Sequence, residues 1–113
     1  MIKIYHNPRC TKSRQGVAFL EEKGVSFEVI KYLETTFTVE ELSKVIDELG
    51  VKPIELVRKN EAIWKRDFKG QEMTDSAIIE AMIAHPKLIE RPIIVNDGKA
   101  VIARPTDRIE EVL

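Results

Sequence analysis

The stretch MIKIYHNPRCTKSRQGVAFLEEKG, residues 1–24, decides the fold. Met1 to Tyr5 alternates apolar and polar residues, which predicts a strand with Ile2 and Ile4 on one face. His6-Asn7-Pro8 breaks it. From Ser13 a helical spacing runs through Val17, Phe19, Leu20 and Lys23, with Ser13 placed as N-cap and Gly24 as the stop. The run Ser26 to Tyr32 alternates again and predicts a second strand burying Phe27, Val29 and Ile30. Strand, helix and strand in this order make a βαβ unit with parallel strands and a right-handed crossover.

The remainder divides into a helical middle and a strand-rich end. Thr38 and Glu41 form a capping box ahead of Leu42, Val45, Ile46 and Leu49 at helical spacing, and Gly50 ends that helix. Pro53 opens a further turn through Ile54, Leu56 and Val57. A short helix is expected through Ala62 and Trp64. Thr74 or Asp75 caps another through Ile78, Ile79, Met82 and Ile83, ending before His85-Pro86. Ile93 to Val95 reads as a strand, Asn96-Asp97-Gly98-Lys99 as a hairpin turn and Ala100 to Ala103 as the return strand. Pro105 and Thr106 open a last helix carrying Ile109, Val112 and Leu113. The expectation is an α/β chain of 113 residues in a single domain, with an all-helical insertion at about residues 38–85 and no repeats or linker.

Composition narrows the function. With 18 Lys and Arg against 19 Asp and Glu, the net charge is -1, so no general basic field draws the chain to nucleic acid or to a membrane. No apolar run nears the roughly 20 residues of a membrane span, and no signal region follows the first methionine, so a cytoplasmic monomer is expected. One cysteine, Cys10, forms no internal disulfide, which fits a reducing compartment.

Cys10 stands in a turn ahead of a helix N-terminus, in a run with Arg9, Lys12, Arg14 and His6 and with no acid before Glu21. Backbone N–H groups, the helix dipole and neighbouring cations all favour a thiolate, the form in which cysteine is a nucleophile. The same geometry attracts oxyanions. Ser13, besides capping, offers a hydroxyl near the thiol, and His6 offers an imidazole. Because position 13 is serine, the C-x-x-C of a dithiol centre is absent, and an oxidised Cys10 needs an external thiol to resolve it. Arg58, Arg91 and Arg104 come from three separate segments, the latter two each before a proline at a strand end. Guanidinium forks suit tetrahedral oxyanions, although spacing alone leaves their convergence open.

YHNPRCTKSR, ELVRKNEAIW, AHPKLIERPIIV and ARPTDRIEEVL, in this order and spacing, resemble the glutaredoxin-dependent arsenate reductase family of the thioredoxin-like class across essentially the whole chain. The resemblance implies a thioredoxin-like fold with a four-stranded mixed sheet. It implies that Cys10 attacks arsenate, that Arg58, Arg91 and Arg104 bind the oxyanion, and that His6 and Ser13 stabilise the thiolate. Glutathione would act as co-substrate and glutaredoxin as the reducing partner, with no metal and no bound cofactor. Fold analogy also marks the Arg91-Pro92 bond for the cis state. The loop departs from the Cys-Gly-Thr-Ser-Arg of the best-known members at Thr11 and Lys12, Arg9 stands where those carry a small residue, and Ala103 where they often carry cysteine. Two other functions share the fold: an Spx-type regulator binding RNA polymerase, against which Ser13 argues, and a glutathione-linked thiol oxidoreductase with another substrate.

Overall fold

A computed structural model describes residues Met1 to Leu113. The elements in chain order are β1 (Ile2–Tyr5), α1 (Thr11–Glu22), β2 (Phe27–Ile30), α2 (Val39–Leu49), α3 (Ala62–Asp67), α4 (Asp75–Ala84), β3 (Ile93–Asn96) and β4 (Lys99–Ile102). Short 3-10 segments occupy Pro53–Leu56, Pro86–Leu88 and Thr106–Val112. They group into two units, one of residues Met1–Thr35 with Arg91–Leu113 and the other of Thr36–Glu90. No helix is long and apolar enough to cross a membrane.

In the first unit the sheet order is β2-β1-β3-β4. β1 and β2 run parallel with Ile4 beside Val29, and α1 is the crossover between them. β3 is antiparallel to both β1 and β4. The four-stranded mixed sheet expected from the sequence is thus present. Ile2, Ile4, Ile94 and Val101 from the sheet meet Leu20 of α1 and Ile109 and Val112 of the last segment in one apolar cluster. The Asp97-Gly98 turn has positive φ at both residues, 46° and 79°, the geometry that matches the twist of a two-residue hairpin.

Three local expectations change. β2 spans Phe27–Ile30 and does not bury Val29, which stays 40% exposed. It is an edge strand, and its side chains have a neighbouring strand on one side only. The final segment is 3-10 instead of α-helical, with Arg108 N–H donating to Pro105 O at 3.1 Å. Ile109 and Val112 both reach the core from three residues apart, which is the 3-10 period. Helix α1 starts at Thr11, so Cys10, not Ser13, is its N-cap. The turn before it closes early, with Cys10 N–H donating to Asn7 O at 3.0 Å and Arg14 N–H to Cys10 O at 3.0 Å.

In the second unit the sequence signals hold closely. Thr38 Oγ1 accepts from Glu41 N–H at 3.1 Å while Glu41 Oε1 accepts from Thr38 N–H at 2.9 Å. Gly50 ends α2 in the left-handed region at φ 70°. Helix α2 packs on α4, and Leu42, Val45, Ile46, Leu56, Ile78 and Met82 are buried. The regular elements of this unit are helical, with one addition: Val57 and Ile89 form an isolated antiparallel bridge.

Candidate active site

The loop between β1 and α1 is anchored by one long-range backbone bond and otherwise built from short-range ones. After Tyr5, His6 N–H donates to Ile30 O at 2.8 Å and carries the β1–β2 pairing one residue further. Asn7 then organises the turn: its Oδ1 accepts from Arg9 N–H and its carbonyl from Cys10 N–H, both at 3.0 Å. Asparagine is suited to this, since its side chain can imitate a backbone turn. Cys10 has φ -96° and ψ 122°, the extended geometry an N-cap requires, and its residue is 8% exposed.

Ser13 is fully buried, and it joins two walls of the loop. Its Oγ accepts from Asn7 N–H at 3.0 Å and lies 2.6 Å from His6 Nδ1. Burial first, and then the charges of Lys31 and Arg14, hold the His6 imidazole below its ordinary value of 6.5. A neutral ring at neutral pH follows. His6 therefore meets the loop as a hydrogen-bonding partner of Ser13 and not as a cation.

Two of the three arginines share this unit with Cys10. Arg104 follows β4 and donates through Nη2 to Cys10 Sγ at 3.7 Å and through Nε to Arg91 O at 2.8 Å. Arg91 precedes β3, and its Nε and Nη1 are shielded from solvent. The Arg91-Pro92 bond is cis, as fold analogy anticipates, and Arg104-Pro105 is cis also. Burial pushes the Cys10 thiol up, but the Ser13 backbone N–H, the charge and hydrogen bond of Arg91, and the Lys12 backbone N–H bring it below its usual range. The sequence reading credits backbone N–H groups and the helix dipole, with the side chains of Arg9 and Lys12 adding to them. The structure keeps the backbone donors and puts Arg91, which is distant in sequence, in place of those two side chains.

Arg58 belongs to the other unit. Its backbone N–H donates to Leu88 O at 2.7 Å and its Nη1 lies 3.5 Å from Glu61 Oε2. Two contributors, Lys31 and Gly16, escape the sequence reading, and Arg14 enters it only as a nearby cation. Lys31 acts on His6 by charge, Arg14 ties down the Cys10 turn, and Gly16 lets α1 approach Pro92. The i, i+3 spacing of Thr11 and Arg14 on a helix was the one signal available for any of them.

A parallel β1-α1-β2 unit, antiparallel β3 and β4, and a cysteine at the first strand-to-helix turn define a thioredoxin-like protein. Residues 5–112 match the ArsC family model, and the chain belongs to the ArsC family. The chain is 40% identical to an arsenate reductase of Neisseria meningitidis, over 99% of this chain and 97% of that one. It is 35% identical to an arsenate reductase of Haemophilus influenzae, over 97% of each. Among solved structures, an arsenate reductase of Vibrio cholerae superposes with a TM-score of 0.94 at 43% identity, covering 99% of this chain and 97% of that one.

Proposed function

We propose that this protein is a thiol-dependent arsenate reductase that uses Cys10 as its nucleophile and glutathione with glutaredoxin as its source of electrons. The observation that carries the reading is the convergence on one thiol of a helix N-terminus and two arginines, with Arg104 Nη2 at 3.7 Å from Cys10 Sγ. The names of the family relatives point the same way. A thiolate held among guanidinium groups can meet an oxyanion that an isolated thiolate would repel.

In this reading the Cys10 thiolate attacks arsenic(V), an As–S bond forms and an oxygen leaves as water after protonation. Glutathione thiolate then forms a second As–S bond, and a second oxygen leaves as water after protonation. Two electrons pass from the two sulfurs to arsenic, arsenite departs, and Cys10 is left in a mixed disulfide with glutathione. Glutaredoxin, with a second glutathione, returns Cys10 to the thiol, a step the chain cannot perform for itself because position 13 is serine. Arg91 and Arg104 hold the oxyanion and its developing charge, and the family resemblance assigns Arg58 the same role. Ser13 and His6 keep the loop in place around the thiolate.

Arsenite release measured with glutathione and glutaredoxin tests the reading. Turnover is expected for the unsubstituted protein and is expected to vanish in Cys10→Ser. Normal turnover by that variant would sink the proposal.

A further inference from the structure

We propose that Arg14 is a positioning residue for Cys10, its guanidinium fork bridging the turn from Pro8 O on one side of the nucleophile to Thr11 Oγ1 on the other. The inference rests on the reading of Cys10 as the reacting thiol. Arg14 Nη1 donates to Pro8 O at 2.8 Å and Nη2 donates to Thr11 Oγ1 at 3.1 Å. Pro8 and Thr11 are the residues on either side of the Arg9-Cys10 pair, so a planar fork fixes the separation of the turn and the first residue of α1 across the thiol.

The interior ties of the loop do not do this. Asn7 bonds Arg9 and Cys10 within the turn, and Ser13 bonds Asn7 and His6 beneath it. Neither set reaches the Pro8 carbonyl or the Thr11 hydroxyl. The Lys12 and Ser13 N–H groups that stabilise the thiolate immediately follow Thr11 in the first turn of α1. Their aim at Sγ depends on the angle at which that turn leaves Cys10, and the fork sets that angle from outside. Arg14 also acts on His6 by charge alone, so a variant that keeps the charge without the fork separates the two effects.

The experiment follows Cys10 alkylation by iodoacetamide against pH in the full chain, with and without arsenate, for Arg14→Ala, Arg14→Lys and Thr11→Val. Thermal unfolding of each variant is followed alongside. Arg14→Ala is expected to raise the alkylation midpoint by about half a pH unit and to weaken arsenate protection several-fold, through loss of aligned donors to the thiolate. Arg14→Lys, a point charge that reaches one acceptor at a time, should recover less than half of that shift. Thr11→Val removes one arm, leaves every charge in place and should fall between wild type and Arg14→Ala. A low midpoint in the unsubstituted protein that survives in Arg14→Ala overturns the clamp alone, as does complete rescue by lysine. An ordinary thiol midpoint in the unsubstituted protein, with no protection by arsenate, overturns the reading of the site and the clamp with it.

Discussion

Cys10 shows how one backbone position decides the chemistry of a side chain. As N-cap it stands where the first N–H groups of α1 have no helical acceptor, and a thiolate can supply one. Ser13, three residues on, supplies the other half of the arrangement by serving both His6 and Asn7. Replacing it by alanine leaves the Asn7 N–H and the His6 ring without that oxygen. Ser13→Ala is expected to lose about 1–3 kcal/mol of stability, the cost of stranding buried polar groups. Denaturant titration measures that loss, and Ser13→Thr, which keeps the hydroxyl, should retain the His6 bond if the added methyl is accommodated.

Helix α1 is aimed by its packing as much as by its cap. Its buried residues Ser13, Gly16 and Leu20 form one stripe, and at Gly16 the helix comes so near the sheet that a Cβ would lie 3.1 Å from Pro92 Cγ and 3.2 Å from Ile4 Cδ1. Glycine here serves close approach and not turn geometry. Gly16→Ala must push α1 off Pro92 or displace the Ile4 methyl, and overpacking of this kind costs about 1–3 kcal/mol. Since Arg91 precedes Pro92, the same displacement should raise the pH at which Cys10 reacts. Unfolding and alkylation measured on one preparation would show both effects; unchanged values for both would mean the contact yields freely.

Across the molecule, acid sensitivity should be traceable to His6. Its folded pKa lies below 6.5, so well above pH 6.5 the ring is neutral in both states and contributes no pH dependence. As pH falls below 6.5 the unfolded chain takes up a proton that the folded chain refuses, and stability declines until the folded pKa is passed. His6→Asn keeps a side-chain partner for Ser13 and does not titrate. Unfolding free energies between pH 7 and pH 5 should decline more steeply for the native chain than for this variant, and parallel curves would assign the acid sensitivity elsewhere.

The primary structure alone dictates the βαβ opening, the caps and stops of the inserted helices, the Asp97-Gly98 hairpin and the single cysteine with no second one to pair it. These are local. Alternation, cap residues and glycines act within a few positions of themselves, so Thr38, Gly50 and Gly98 are legible where they stand. The spacing of Arg91 and Arg104 marked them as worth watching but could not bring them to Cys10. That meeting needs β3 and β4 to add to β1 in the order β2-β1-β3-β4, a pairing between segments roughly 90 residues apart in sequence. The exposure of Val29 follows from the same strand order, because strand pattern says which residues share a face and not whether the strand is at an edge. The neutral His6 and the approach of Gly16 to Pro92 were likewise decided in three dimensions, since burial and close contact are properties of neighbours that the chain meets only after it folds.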